Sequence, residues 1–313
     1  MRKIYLDHAS TTYICKEALG AMKPYFDINY GNPSSIHQQG RKAKYAILQA
    51  RNKIAKILNC QPTEIFFTGS GTESCNLAIL GTAGAKKGNH IITSQVEHSA
   101  ILEPCRKLEK KGFKVTYLPV DKEGMIRMSD LKKAIRPETI LVSIMYANNE
   151  IGTIQPIQEI GRLLKSVNCG AITRSKTTDL QNLKSKIYFH TDACQAGGLL
   201  NLDTKKLGVD LLSLDASKIY GPKGVGSLFV REGLKIEPQI LGGGQEGKLR
   251  GGTENVPGIV GMARALEIVQ KNRIKEAARL RKLRDYLIKE VQKRIPKVVL
   301  NGHPQKSFKY IFF

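Results

Sequence analysis

The stretches Ile187-Tyr188-Phe189-His190-Thr191-Asp192-Ala193-Cys194-Gln195 and Leu211-Leu212-Ser213-Leu214-Asp215-Ala216-Ser217-Lys218 decide the fold. Each is a short apolar run that ends in a polar cluster, and the interval between them is helix-like. Such runs read as neighbouring strands of a parallel sheet. Ligands bind beyond the carboxyl ends of strands arranged this way. Asp192, Gln195 and Lys218 are therefore expected at one rim, which brings a carboxylate, an amide and an amine together.

The same alternation runs from about residue 40 to 230. Ile47, Ala50, Ile54 and Leu58 make a helical stripe, and Ile65-Phe66-Phe67 follows as a strand. Further strands are expected at His90-Ile91-Ile92, Val115-Thr116-Tyr117, 140–145 and Ser227-Leu228-Phe229-Val230. This pattern specifies an α/β domain with a mostly parallel sheet. No internal repeat or low-complexity tract interrupts it. Between Val167 and Ser185 the period lapses, and about 168–185 reads as a surface insertion. At the far end Asn301-Gly302-His303-Pro304 is a turn. The apolar run Phe308-Lys309-Tyr310-Ile311-Phe312-Phe313 then follows with nothing left to cover it, so the chain is expected to be cut short.

Composition bounds the class. The 313 residues, 41% hydrophobic and 25% charged, suit a globular protein of one large or two ordinary domains. No apolar run approaches the roughly 18–20 residues needed to span a bilayer. Met1 to His8 lacks the apolar core of a signal peptide. Cysteines 15, 60, 75, 105, 169 and 194 form no Cys-x-x-Cys pair, which argues against a metal site or a disulfide framework and for a reducing, cytoplasmic setting. The net charge is +23, and 271–297 alone carries eleven Lys or Arg against Glu276, Asp285 and Glu290. Ala277, Leu280, Leu287 and Val291 recur there at helical spacing, so the basic residues are expected on the solvated face of an amphipathic helix. No nucleic-acid-binding motif accompanies them, and neither direct nucleic-acid binding nor a membrane role is expected.

Several polar stretches carry chemistry only in combination. Thr68-Gly69-Ser70-Gly71-Thr72-Glu73-Ser74 follows a strand and opens a helix, where free N–H groups favour an anion, although Gly-Ser-Gly alone reads equally as an ordinary turn. It is neither a dinucleotide-binding Gly-x-Gly-x-x-Gly nor a P-loop. His98 in Glu97-His98-Ser99 reads as a helix cap or as a site residue, and Asn148-Asn149-Glu150 is also ordinary turn chemistry. Asp192 taken singly reads equally as a helix N-cap. His8, His37, His90 and His303 read as structural, and Lys223 as a surface lysine. Together, a lysine able to hold an aldehyde and a carboxylate able to keep a pyridine nitrogen protonated meet the needs of pyridoxal phosphate.

Taken in order, the motifs resemble a family. They are Tyr5-Leu6-Asp7-His8-Ala9-Ser10-Thr11-Thr12, Gly31-Asn32-Pro33-Ser34-Ser35-Ile36-His37, Gly71-Thr72-Glu73-Ser74 with Asn76-Leu77-Ala78, Glu97-His98 and Asn148-Asn149-Glu150-Ile151-Gly152. His190-x-Asp192-Ala193-x-Gln195, Ser217-Lys218-Ile219-Tyr220-Gly221-Pro222-Lys223-Gly224, Gly242-Gly243-Gly244-Gln245-Glu246 and Gly252-Thr253-Glu254-Asn255 complete the set. From residue 4 to about 302 the chain resembles the NifS/IscS-type cysteine desulfurases, class V aminotransferases among the fold-type-I pyridoxal-phosphate enzymes. The resemblance implies a large cofactor-binding domain at 15–262. It also implies a smaller, incomplete α+β domain built from 1–14 and 263–313.

The resemblance further implies roles. Lys218 holds pyridoxal 5'-phosphate covalently and moves protons at the substrate Cα. Asp192 pairs with the pyridine nitrogen, Gln195 and Asn149 bond near the ring hydroxyl, and His98 stacks on the ring as acid/base. Gly71, Thr72 and Ser217 hold the phosphate, joined by Thr253 from the other subunit of a homodimer. The implied reaction takes sulfur from L-cysteine, leaves L-alanine, and passes a persulfide towards an iron–sulfur scaffold or a tRNA-thiolation enzyme. A selenocysteine lyase, an aminotransferase or an inactive cofactor-binding fragment are the alternatives.

The chain departs from the family pattern in four places. None of its six cysteines matches the persulfide-bearing position, and the downstream arginine that grips the substrate carboxylate has no counterpart. Asp215 stands where the family has a small polar residue beside the phosphate, and a carboxylate there is expected to repel a phosphate unless turned away or protonated. Ser217 replaces the commoner histidine before the lysine. The stretch at about 168–185 is an insertion.

Overall fold

A computed structural model of the chain describes residues 4–171 and 183–307. The insertion expected at about 168–185 falls largely outside the described residues, as does the apolar run at 308–313. The strands are β1 Ile65–Thr68, β2 His90–Ser94, β3 Lys114–Leu118, β4 Thr139–Ser143, β5 Tyr188–Asp192, β6 Leu211–Asp215 and β7 Gly226–Val230. All seven overlap the runs expected from the sequence, and β5 extends three residues past its apolar run, through His190-Thr191-Asp192. The helices are α1 Lys16–Met22, α2 Gln38–Leu58, α3 Gly71–Ala85, α4 Ser99–Glu109, α5 Met128–Ala134, α6 Ile157–Asn168, the short α7 Thr204–Leu207 and the long α8 Val256–Arg294.

The seven strands form one mixed sheet in the order β1-β7-β6-β5-β4-β2-β3. The run from β6 to β3 is parallel throughout, whereas β7 is antiparallel to both β6 and β1. Consecutive strand residues point to opposite faces, and the core divides accordingly. Ile92, Val142, Phe189, Leu212 and Phe229 join the layer containing α2, α5, α6 and α8. Their neighbours Ile91, Leu141, Tyr188, Leu211 and Leu228 join the layer under α3 and α4. Covering both faces explains why the strands read as continuous apolar runs instead of alternating ones. Each fully buried Ile, Leu or Phe contributes about 1.5–3 kcal/mol.

Two elements position the rim. Helix α3 follows β1 through Gly69-Ser70, and Ser70 caps it by accepting from Glu73 N at 3.1 Å. Nine of its residues are buried, so the helix start is held firmly against the sheet. Helix α8 packs on α1 and α2. It runs unbroken across 262/263, where the sequence suggested a domain boundary. Its basic face has an exception: Arg284 is buried, and its Nη1 donates to Ser307 Oγ at 2.9 Å. No helix among the described residues is long and apolar enough to cross a membrane.

Candidate active site

Four adjacent parallel strands end on the same side, and the residues just past each end meet there. Past β2 comes His98, past β4 Asn149, at the end of β5 Asp192 with Gln195, and past β6 Ser217 and Lys218. They line one cavity of about 170 Å³ with Gly71 and Thr72 from the start of α3, and Ala9, Cys194 and Asp215. Eight of the nine residues singled out from the sequence thus share one cavity. Thr253 lies apart, in a smaller cavity with Gly69, Arg250 and Glu254.

Lys218 sits in a tight turn that the N-terminal segment braces. Its Nζ donates to Ala9 O at 3.1 Å and also to Ser10 O. Gln195 Nε2 donates to the same Ala9 carbonyl at 2.8 Å. Thr12 donates to Ser217 O through both N and Oγ1 at 2.8 Å, and its Oγ1 accepts from Tyr220 N at 2.8 Å. Tyr220 needs that brace, because it holds φ +61, a conformation costly for a residue with a side chain.

The remaining polar groups are set by local folding. His98 caps α4, its Nδ1 accepting from Ala100 N at 3.0 Å, so a neutral ring carries its proton on Nε2. The cap reading and the site reading are therefore compatible. Asn148 builds the turn that presents Asn149, with Oδ1 accepting from Glu150 N and Ile151 N and Nδ2 donating to Val96 O. Asp192 Oδ1 accepts from Cys194 N at 2.9 Å, so Asp192 too closes a local turn while its side chain lines the cavity. Below it, His190 bridges Ser143 Oγ and Ser213 Oγ at 2.8 and 2.9 Å, and burial pushes its pKa down to about 4. It is a neutral spacer between strands. The Cys194 thiol is raised well above its ordinary range by its hydrogen bond with Cys75 and then by burial, which makes it a poor nucleophile.

Glu97 stands in the Glu97-His98 motif, and the sequence assigns it no role. It is fully buried, with Oε1 accepting from Ser94 Oγ at 2.7 Å and Met145 N at 2.9 Å, while Oε2 has no hydrogen-bond partner. Burial pushes its pKa up to about 8, the two hydrogen bonds pulling the other way. A neutral Glu97 beneath His98 ties β2 to β4. The signal that could have found it is its place three residues past β2, a strand that is buried on both faces.

Asp215 is the surprise. Its Oδ2 accepts from Gly71 N at 2.8 Å, and its Oδ1 accepts from Ser217 N at 2.7 Å and Ser217 Oγ at 2.6 Å. Gly71 permits this approach: a Cβ there would lie 2.9 Å from Asp215 Cβ and 2.6 Å from Cys194 Sγ. The carboxylate is not turned away from the helix start but sits on its donors, so the expected repulsion of a second anion there stands.

The residues present fit a pyridoxal-type group. An amine, a cavity-facing carboxylate and an imidazole surround a small cavity, and a helix start with a neighbouring hydroxyl already holds an anionic group beside them. Among the described residues no cluster of His, Cys, Asp or Glu could hold a metal ion.

Comparison with known proteins bears on the assignment. Residues 4–311 match the family described as Aminotransferase class-V. The chain is 54% identical over 303 residues to a cysteine desulfurase IscS of Dictyoglomus turgidum, covering 96% of this chain and 72% of that one. It is 52% identical over 306 residues to a cysteine desulfurase IscS of Methanosarcina thermophila, covering 97% and 71%. A solved NifS-like protein superposes with a TM-score of 0.90 at 39% identity, covering 98% of this chain and 80% of that one. A second solved structure, SspA in complex with cysteine, gives 0.77 at 39% identity, covering 88% and 78%. With its strand order, its rim of polar residues and this extent of identity, the chain belongs to the class V aminotransferase family and, within it, to the cysteine desulfurases.

Proposed function

We propose that the chain binds pyridoxal 5'-phosphate at the β2–β4–β5–β6 rim and desulfurates L-cysteine. The observation that carries this reading is the convergence of Lys218, Asp192 and His98 on one cavity. Pyridoxal 5'-phosphate supplies an aldehyde that takes up the substrate amine and a ring that accepts negative charge from its Cα. Lys218 Nζ would hold the cofactor and would move a proton at the substrate Cα. Asp192 would keep a proton on the ring nitrogen, the role that makes such a ring a stronger electron acceptor. His98, its neutral ring carrying the proton on Nε2, would serve as an acid/base, and Gln195 and Asn149 would orient the cofactor. Gly71, Thr72 and Ser217 would hold the phosphate, and Thr253 would serve the site of a partner subunit in a homodimer.

In balance, L-cysteine and an acceptor thiol give L-alanine and a persulfide. The Cβ–S bond breaks, an S–S bond forms at the acceptor, and Cβ gains a proton. The acceptor chain is a sulfur-relay protein serving iron–sulfur assembly or tRNA thiolation, in the cytoplasm. Residues 15–262 form the cofactor-binding unit, and 1–14 with 263–313 contribute to a second unit.

The test of the cofactor site is direct. Protein incubated with pyridoxal 5'-phosphate should show visible absorbance, and borohydride reduction should leave the label on the peptide containing Lys218. Labelling elsewhere, or a colourless protein, overturns the reading.

A further inference from the structure

The donors best placed to hold an anion in this cavity are already engaged. Gly71 N opens the 15-residue helix α3, where the helix dipole favours negative charge. Ser217 N and Oγ belong to a different element, the turn after β6. These three donors from two elements converge on the two oxygens of one carboxylate, Asp215, at 2.6 to 2.8 Å. A carboxylate so placed takes charge-assisted hydrogen bonds of the kind a phosphate takes.

The neighbouring charges leave this arrangement unopposed. Glu73, on the same helix turn, is engaged by Arg250 Nε at 2.9 Å and by Gly69 N, and Lys218 is turned toward Ala9 and Ser10. No cation among the described residues forms an ion pair with Asp215 or Asp192. A phosphate entering the cavity therefore meets a fixed negative charge on the donors it needs.

We propose that Asp215 is a resident anion in the phosphate cradle, so that a phosphate-bearing cofactor must displace its carboxylate, and that this competition sets the chain's affinity for the 5'-phosphate. The inference rests on the cofactor reading above and goes beyond it. Its consequence is chemical selectivity: the chain gains unusually little from the phosphate and discriminates weakly between pyridoxal 5'-phosphate and unphosphorylated pyridoxal.

The experiment compares the dissociation constants of both vitamers by absorbance titration and equilibrium dialysis. The proteins are the full chain, Asp215→Ser and the isosteric Asp215→Asn, the last keeping an acceptor for the turn should the serine variant fold poorly. Removing the charge should tighten pyridoxal 5'-phosphate at least tenfold in both variants and leave pyridoxal within twofold. Inorganic phosphate should compete with pyridoxal 5'-phosphate more strongly in the variants than in the parent. An unchanged or weakened phosphate affinity overturns the proposal, as does an equal gain for both vitamers. If the parent takes up cofactor on Lys218 but the ratio does not move, this inference alone fails. If none of the three proteins takes up either vitamer, the cofactor reading fails with it.

Discussion

Thr12 holds the Ser217 carbonyl twice, through its backbone N–H and its hydroxyl, both at 2.8 Å. The same hydroxyl accepts from Tyr220 N, so one buried side chain fixes both ends of the turn that carries Lys218. Thr12→Val keeps the shape and removes both hydroxyl bonds, leaving Tyr220 N unsatisfied. We expect a loss of about 1–3 kcal/mol in urea unfolding, largely recovered in Thr12→Ser. Equal stability of the valine variant would show that the brace contributes nothing.

Gly71→Ala tests the close approach of α3 to the cavity floor. The added Cβ would meet Cys194 Sγ at 2.6 Å and Asp215 Cβ at 2.9 Å, neither on a flexible chain end. Overpacking should cost about 1–3 kcal/mol. Cofactor uptake, measured by visible absorbance, should fall more than tenfold even in protein that remains folded.

Glu97 makes stability depend on pH in a defined window. Its folded pKa, about 8, lies above the ordinary 4.5, so its contribution is fully present below pH 4.5 and is lost as pH rises through 8. Glu97→Gln should flatten that loss. Relative to its own value at pH 5, it should retain about 2–4 kcal/mol more than the parent at pH 9. Parallel stability curves would contradict the buried, neutral carboxyl.

His190 and His90 set the acid side. Burial lowers both to about 4 from 6.5, so their contribution is present above pH 6.5 and lost as pH falls through 4. His190→Gln should lessen the slope of stability between pH 6.5 and 4 by on the order of 2 kcal/mol across the window. An unchanged slope would mean that the ring is already charged in the fold.

The strands and the rim were legible because period and punctuation are local. Each apolar run is covered on both faces, and parallel pairing gathers the run ends at one side. The placing of β1 and β7 was not legible: Ile65 pairs with Phe229 across more than 160 residues, and nothing in either run specifies an antiparallel partner. Arg284 reads as one more solvated charge because the helical period says nothing of Ser307, the residue 23 positions on to which its buried guanidinium donates. Glu97 is not legible for the same reason, since one of its two donors is Met145 N, just past the end of β4. Asp215 was noticed as an anomaly, but sequence supplied only a repulsion. That its oxygens meet Gly71 N and the Ser217 donors depends on how closely α3 approaches β6.

The most direct test of the central claim is L-alanine formed from L-cysteine by the purified full chain loaded with pyridoxal 5'-phosphate, with an added dithiol as sulfur acceptor. The account predicts L-alanine and sulfide in equal amounts and none above background from Lys218→Ala. Pyruvate in place of alanine, or alanine that persists in the Lys218 variant, would contradict it.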